Sequence, residues 1–193
     1  MTSTCSEILL HCCCGPCSLA SIDFLVSKGF SVKPLFFNPN IEPDEERQRR
    51  LETFLVCCKF KNLDPIVIDE QTYKKDGTRC QGCFSFRLEK TAQVARQSEI
   101  TLFTTSLLIS PYQKHSLLAE VGKRFDNFRY FDLRPFYNNS QMQAKELGIY
   151  RQKYCGCLES AQETKWLSKR IQEKSRLKSG PCSDWTPDWL KDG

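Results

Sequence analysis

The stretch ILLHCCCGPC, residues 8–17, decides how this chain folds and where its chemistry lies. Its first three residues are apolar and fit a short buried strand. Gly15-Pro16 fits the turn into a helix, because proline is tolerated in the first turn of a helix. Thiolates are strong ligands and nucleophiles, and the turn carries a cluster of them at Cys13, Cys14 and Cys17. The sequence therefore predicts chemistry at the end of a strand.

Outward from this stretch, strand-like and helix-like segments alternate. Strands are predicted at 7–11, 32–37, 65–68 and 100–108, with a short fifth at 128–131. Helices are predicted at 16–28, 42–61, 84–96, 113–125, 140–150 and 158–171, the second with an apolar stripe of Leu51, Phe54, Leu55 and Cys58. This alternation predicts an α/β domain with a largely parallel sheet flanked by helices. Sites in such folds form beyond the carboxyl ends of the strands.

Length and composition narrow the class of protein. The 193 residues suit a single domain, predicted at 1–178, followed by an extension at 179–193. No apolar stretch approaches the roughly 20 residues that span a bilayer, and residues 1–7 do not resemble a signal peptide. A cytoplasmic protein without membrane contact is expected, in which the 12 cysteines are reduced, metal-bound or catalytic. The net charge of +5 permits a nucleic-acid partner without requiring one.

Two further cysteine groups are open to more than one interpretation. Cys80 and Cys83 form C-x-x-C, which is typical of metal sites and of thioredoxin-like redox pairs. With Cys13 and Cys14 they supply four thiolates, enough for zinc or an iron–sulfur cluster. Cys155-Gly156-Cys157 could form a labile disulfide of a catalytic couple, ligate a second metal, or be two buried thiols.

The residues around the first cluster leave three questions open. Successive side chains of a strand point to opposite faces, so Cys13 and Cys14 converge only if the backbone turns at Gly15-Pro16. By the same alternation Cys12 shares a face with Cys14. His11 fits a ligand, a hydrogen-bond donor to a cysteine sulfur, or a structural residue. No function is assigned to the remaining cysteines, Cys5, Cys57, Cys58 and Cys182.

Four motifs in order along the chain resemble those of the QueH family of epoxyqueuosine reductases. They are His11-x-Cys13-Cys14-x-Pro16-Cys17, Arg79-Cys80-x-x-Cys83-x-x-x-Arg87, the stretch TTSLLISPYQ at 104–113, and Tyr154-Cys155-Gly156-Cys157; Asn38-Pro39-Asn40-Ile41 also fits. The resemblance covers residues 8–158, most of the chain. Neither G-x-x-x-x-G-K-[ST] nor G-x-G-x-x-G occurs, which argues against ATP use.

The resemblance implies a metalloenzyme that removes the epoxide oxygen of epoxyqueuosine at the wobble position of tRNA, the last step of queuosine synthesis. It implies a fold similar to the nucleotide α-hydrolase (PP-loop/HUP-like) class and a [4Fe–4S] cluster held by Cys13, Cys14, Cys80 and Cys83. It also implies a redox-active pair, Cys155 and Cys157, which receives electrons from an external electron donor. Cys17 is the candidate ligand of an adjacent mononuclear iron and is counted among the catalytic residues.

The substrate-binding residues are expected along the second and third motifs. Arg79, Arg87 and Lys114 are candidate partners of tRNA phosphates, and Ser110 and Gln113 complete the predicted set. Tyr112 could stack on a base or give a proton, a role for which His11 is the other candidate. Two other functions stay open: an ATP-independent tRNA sulfur-transfer enzyme, and a non-enzymatic zinc-binding RNA module.

Overall fold

The computed structural model describes residues 6–70 and 80–165 of the chain. The chain divides between Gln152 and Lys153, and the two parts are described separately below. The boundary predicted near residue 178 lies outside the described residues. Within those residues, no helix is both long and apolar enough to cross a membrane.

The core of the first part is a parallel sheet of four strands in the order β3-β2-β1-β4. The strands are β1 (Ser6–Cys12), β2 (Phe30–Phe37), β3 (Ile66–Ile68) and β4 (Leu102–Thr105). The helices between and after them are α1 (Gly15–Ser27), α2 (Asp44–Phe60), α3 (Gln81–Gln97), α4 (His115–Gly122) and α5 (Tyr137–Glu146). The predicted α/β class, with a parallel sheet flanked by helices, is confirmed.

The strand order places a crevice beside β1. After β1 the chain builds outward through β2 and β3, and then returns to add β4 on the other side of β1. Where the order reverses in this way, the neighbouring connections leave in opposite directions and open a crevice beyond the carboxyl ends of the two strands. Here the end of β1 is followed by Cys13 and Cys14, and the end of β4 is followed by Ser106.

Both faces of the sheet are covered by apolar side chains. Ile8, Leu10 and Cys12 of β1 point into one cluster with side chains of α1 and α2. Leu9 points into the opposite cluster with Phe84 and other residues of α3 and α4. Full burial of a Leu or Phe side chain contributes about 1.5–3 kcal/mol. These clusters hold β1, and therefore the crevice at its end, in a fixed position.

Two predicted strands differ from the structure. The fourth ends at Thr105, because the Thr105 hydroxyl accepts a hydrogen bond from the Leu107 amide at 3.2 Å and Ser106–Ile109 turn into a 3₁₀ helix. The predicted fifth strand is wrong: Phe128 makes one isolated bridge to Phe103. Phe128 is buried by ring contacts, such as that with Phe103 at 5.4 Å between centroids, and does not join a ladder of hydrogen bonds.

The buried face of α2 is also rotated from the predicted stripe. Leu55 is exposed, whereas Phe54 and Cys58 are buried as predicted. The buried face is completed by polar side chains at helical spacing: Glu46, Arg47, Arg50 and Thr53. A helix that buries charged groups must give them partners. The partners of Arg50 and Thr53 lie around the crevice at the end of β1.

Candidate active site

Three cysteine sulfurs meet at the end of β1, and we call Cys13, Cys14 and Cys17 the cysteine triad. Their sulfur atoms all lie within 4.8 Å of one another, and Cys13 Sγ is 3.7 Å from Cys14 Sγ. Cys14 is the N-cap of α1, in an extended conformation, and its sulfur accepts a hydrogen bond from the Cys17 amide at 3.4 Å. The turn into α1 therefore brings Cys13 and Cys14 to one place, although they are neighbours in sequence.

Gly15 lets this turn lie directly against α2. Its amide donates a hydrogen bond to Thr53 Oγ1 at 3.3 Å. A Cβ atom at Gly15 would lie 2.2 Å from the Thr53 carbonyl oxygen, which no packing tolerates. The glycine of the CCCGPC stretch is thus required by the close approach of two backbones.

Cys12 does not belong to the triad. Its side chain lies on the other face of the sheet, where it packs with Phe54 and Cys57 and donates to the Leu10 carbonyl at 3.4 Å. Burial raises the pKa of Cys12 well above its usual value, so it remains a neutral thiol. The turn at Cys14 breaks the alternation that would have placed Cys12 and Cys14 on one face.

The end of β4 supplies a direct contact to the triad. Ser106 Oγ accepts a hydrogen bond from the Cys13 amide at 3.0 Å and lies 3.4 Å from the Cys13 sulfur, to which it can donate. Ser106 lies within the third motif but is not among the predicted site residues. Its position after β4 is the signal that could have identified it, because the strand order brings that end beside β1.

The three thiols cannot all ionise without a cation. Hydrogen bonds from Cys14, Cys17 and Ser106 lower the pKa of Cys13. Burial and the neighbouring Cys13 raise the pKa of Cys14, and hydrogen bonds to Cys13 and Cys14 raise that of Cys17. Three convergent buried sulfurs that repel each other's charge are a donor set that fits a thiophilic metal centre. Among the described residues this is the one such group of three.

His11 ties together the ends of three strands. Its Nε2 lies 3.0 Å from the Phe37 carbonyl oxygen of β2, and its Nδ1 lies 2.8 Å from Thr105 Oγ1 of β4. Since a carbonyl only accepts, Nε2 carries the proton and Nδ1 accepts from the Thr105 hydroxyl. Burial, with the nearby charge of Arg87, lowers the pKa of His11 to about 4. Both nitrogens of the neutral ring are therefore occupied, which favours the structural interpretation of His11 over ligation or proton donation.

A buried ion pair lies behind Cys14. Arg50 is 2% exposed, and its Nε donates to Glu46 Oε1 at 2.7 Å. The other carboxylate oxygen of Glu46 accepts from the Tyr150 hydroxyl at 2.6 Å. The charge of Arg50 opposes the rise in the pKa of Cys14 and so favours its thiolate. This network also anchors the segment after α5 to the crevice.

Gln152, in that same segment, contacts the triad directly. Its Nε2 donates to Cys14 Sγ at 2.8 Å and lies 3.4 Å from Cys17 Sγ. Its Oε1 is buried and has no hydrogen-bond partner among the described residues. Sequence reasoning missed Gln152, because a single glutamine in a loop carries no pattern that points to a site.

The C-x-x-C motif lies at the start of α3. Cys80 precedes the helix with φ of 73°, a conformation that costs a non-glycine residue about 1–2 kcal/mol. Cys83 Sγ accepts a hydrogen bond from Asn40 Nδ2 at 2.9 Å. Cys80 packs against the same core cluster as the triad, but neither Cys80 nor Cys83 belongs to the group of sulfurs within 4.8 Å.

The predicted substrate-binding residues fall into different surroundings. Tyr112 is 83% exposed, and its ring lies edge-on to Tyr137 at 6.0 Å between centroids. Lys114 is exposed, and Ser110 and Gln113 are half-buried beside it. Arg87 is instead buried, where its Nη2 donates to Asn40 Oδ1, so it is no surface charge. Arg79 lies outside the described residues.

Tyr137 contacts the exposed Tyr112 and packs against the core cluster that contains the triad cysteines. Burial raises the pKa of Tyr137, and the neighbouring charges of Tyr112, Cys17 and Cys14 raise it further.

The second part of the chain carries the predicted redox pair. Cys155 is exposed, and Cys157 is half-buried at the start of a helix whose described residues are 158–165. The Cys157 carbonyl accepts a hydrogen bond from the Ala161 amide at 3.1 Å, which makes Cys157 the N-cap of this helix. Gly156, between the two, has φ of 127°, a conformation that favours glycine. The start of this helix agrees with the sequence, whereas the redox role of the pair stays a prediction.

Two solved structures are similar to this chain. One is the U34-tRNA thiolase NcsA from Methanococcus maripaludis with its [4Fe-4S] cluster, at 13% identity and a TM-score of 0.48, covering 88% of this chain and 66% of that one. The other is the NH3-dependent NAD synthetase from Campylobacter jejuni, at 14% identity and a TM-score of 0.40, covering 93% and 89%. Neither likeness is close enough to carry an argument about the site.

The sequence relatives are much closer. An epoxyqueuosine reductase QueH from Dehalococcoides mccartyi is 37% identical, with 81% of this chain and 93% of the relative covered. A second from Thermotoga maritima is 31% identical, with 86% and 96% covered. The family model described as epoxyqueuosine reductase QueH matches residues 8–163, which include all four motifs: the three that contain cysteines and TTSLLISPYQ. The chain therefore belongs to the epoxyqueuosine reductase QueH family.

Proposed function

We propose that this oxidoreductase reduces epoxyqueuosine to queuosine in tRNA at the crevice beyond the carboxyl ends of β1 and β4. Family membership gives the reaction, and the observation that supports its place is the cysteine triad, three buried sulfurs within 4.8 Å of one another. Because tRNA is the substrate, we place the enzyme in the cytoplasm.

The donor set fits a metal centre, and we propose that it is a [4Fe–4S] cluster held by Cys13, Cys14, Cys80 and Cys83. Cys17 would hold an adjacent iron. The three triad sulfurs need a cation to ionise together, and Cys83 already accepts a hydrogen bond, as a thiolate ligand does. When bound, an iron centre supplies single electrons and a Lewis acid for the epoxide oxygen.

The protein itself would supply electrons, protons and binding. Loss of the epoxide oxygen as water, with formation of the cyclopentene, consumes two electrons and two protons. Oxidation of the Cys155 and Cys157 thiols to a disulfide releases two electrons and two protons. An external electron donor would reduce the disulfide after each cycle. Tyr112 is proposed to stack on a base or to donate a proton to the leaving oxygen, and its exposed ring beside Tyr137 supports this role.

The exposed and half-buried residues that flank Tyr112 in sequence are the proposed tRNA contacts. Lys114, two residues after Tyr112, is exposed and carries a positive charge, and Ser110 and Gln113 offer hydrogen bonds. Arg79 is retained as a candidate phosphate partner. The buried Arg87 is better suited to hold Asn40, and through it Cys83, than to meet a phosphate.

The test begins with anaerobically purified protein. We expect a brown protein with bound iron that converts epoxyqueuosine-tRNA to queuosine-tRNA, detected by mass spectrometry of the nucleosides. The 3.7 Å between Cys13 and Cys14 sulfurs also suits a single tetrahedral ion with bonds of about 2.3 Å, so metal analysis must separate iron from zinc. A colourless zinc protein without activity would support the RNA-binding module, and a thiolated nucleoside would support sulfur transfer.

A further inference from the structure

Two side-chain amides outside the predicted ligand set donate N–H groups to cysteine sulfurs. Gln152 Nε2 lies 2.8 Å from Cys14 Sγ, and Asn40 Nδ2 lies 2.9 Å from Cys83 Sγ. The two amides come from distant parts of the chain, one after α5 and one after β2, and they reach different sulfurs. Both of those sulfurs are predicted ligands of the metal centre.

Each amide is held so that its N–H points at the sulfur. Asn40 Oδ1 accepts from the buried Arg87, which leaves only the amide nitrogen to face Cys83. Gln152 follows Tyr150, whose hydroxyl is anchored to Glu46 at 2.6 Å. The Gln152 oxygen is buried without a partner among the described residues, a cost that the hydrogen bond to sulfur has to offset. Such a cost is expected where an amide orientation serves the site.

Hydrogen bonds to ligand sulfurs change the electron affinity of a metal centre. The reduced centre carries one more negative charge than the oxidised one, and part of that charge lies on the sulfurs. A donor N–H therefore stabilises the reduced form more than the oxidised form and raises the reduction potential. The effect is largest in a buried site, where the surrounding dielectric constant is low, and Cys14 is fully buried.

We infer that Gln152 and Asn40 are positioning residues that set the reduction potential of the metal centre held by Cys14 and Cys83. The inference rests on the proposed function, because it requires a redox-active centre at these cysteines. It goes further by assigning to two amides a task that the ligands alone do not perform.

The experiment compares wild-type protein with Gln152→Leu and Gln152→Glu, all purified anaerobically with their iron. Leucine removes the donor at similar size, and glutamate replaces it with a negative charge. The potential, measured by redox titration with electron paramagnetic resonance, should fall from wild type to Gln152→Leu and further to Gln152→Glu. For Gln152→Leu we expect at least a tenfold shift in the reduction equilibrium, equal to about 59 mV for one electron.

Gln143→Leu is the matched control. Gln143 lies on α5 and donates to Asp23 and Asn139, not to a sulfur. Its replacement removes a side chain of the same type and should leave the potential unchanged. Asn40→Asp provides an independent test, because it removes the N–H at Cys83 and keeps an acceptor for Arg87. Its potential should also fall, by less than that of Gln152→Glu, since Arg87 balances the new charge.

Each outcome decides the inference. Equal potentials in wild type and in both Gln152 variants, with full iron content, would overturn it. A Gln152 variant that keeps its fold by circular dichroism but loses its iron would also overturn it, in favour of a role in retaining the metal. A wild-type protein that contains no redox-active metal would overturn the proposed function instead.

Discussion

The cysteine triad and the cysteine pair at 155 and 157 are both short clusters beside the start of a helix, yet their surroundings are opposite. The triad sulfurs are buried and have defined contacts, with Cys14 touching Cys13, Gln152 and the Cys17 amide. Cys155 is exposed and Cys157 half-buried, before a helix whose first turn is closed by Ser160 hydrogen bonds to Gly156 and Cys157.

This difference indicates two kinds of cysteine chemistry. Buried sulfurs with fixed partners form a site of defined geometry, closed to solvent and suited to holding a metal. An exposed cysteine gives an external thiol or reductant access for exchange, which depends on accessibility as well as on thiolate content. The cysteine content alone does not distinguish these cases; the burial of each sulfur does.

The largest effect is expected from Cys13→Ser. It removes a sulfur at the centre of the triad, so we expect loss of bound iron and a fall in activity of at least about 1,000-fold. Cys83→Ser should do the same if the C-x-x-C motif ligates the cluster. Cys12→Ala is the matched control, since Cys12 is adjacent to Cys13 in sequence but its sulfur packs on the other face of the sheet. Full iron content in Cys13→Ser, measured by metal analysis, would contradict the assignment.

The pair should be dispensable for the metal and required for repeated turnover. We expect Cys155→Ala and Cys157→Ala to keep their iron and colour but to fail to sustain repeated turnover, because neither variant has the dithiol that supplies two electrons and two protons in each cycle. Mass spectrometry of tRNA nucleosides under substrate excess measures the number of cycles. A colourless variant would show that the pair ligates metal, and full activity in both variants would exclude either role.

Gly15→Ala should separate the effect of packing from that of the ligands. The new Cβ meets the Thr53 carbonyl, so α1 and α2 must move apart at a cost of about 1–3 kcal/mol. That movement displaces the triad and should reduce iron content as well. Gly29→Ala is the control. Gly29 has a φ of 84° and open space around it, so the variant bears only the energetic cost of a left-handed backbone conformation in alanine and should keep its iron. Denaturant unfolding and iron analysis measure both.

The smallest effect concerns a core thiol. Burial raises the pKa of Cys58 to about 12, so only about one thiol in ten thousand is ionised at pH 8 in the folded protein. Iodoacetamide at pH 8 should therefore label Cys155 first and leave Cys58 unlabelled, as peptide mass spectrometry can show. The neutral Cys58 thiol stabilises the fold below its unfolded pKa of about 8.5, and this contribution is lost as the pH rises towards 12. Early labelling of Cys58 would place it outside the core.

Much of the fold followed from local patterns. The β1 strand, the turn at Gly15-Pro16 and the helix after it were predicted from a short apolar run and a proline, because these features act within a few residues. The parallel sheet followed from the alternation of elements. The fourth and fifth strands were less well predicted, since Phe128 is buried by aromatic contacts that no period of two or 3.6 residues reveals.

The site was only partly accessible to sequence reasoning. The cysteine spacing identified the triad, and the family resemblance connected it to Cys80 and Cys83. Arg50, Ser106 and Gln152 were missed because their roles depend on contacts between distant elements. Arg50 in particular reads as a surface charge on a polar helix, whereas the structure buries it against Glu46.

The contacts around the triad join residues that are far apart in sequence, and this separation determines when the site can assemble during synthesis. Cys13 meets Ser106 across 93 positions of sequence, Asn40 meets Cys83 across 43, and Cys14 meets Gln152 across 138. Closing such long loops costs entropy that is recovered only when the parallel sheet has formed. During synthesis the pocket is complete only after Gln152 has left the ribosome. Insertion of the proposed metal into its finished surroundings would therefore be a late event, and the nascent chain carries its first cysteines without the groups that will enclose them.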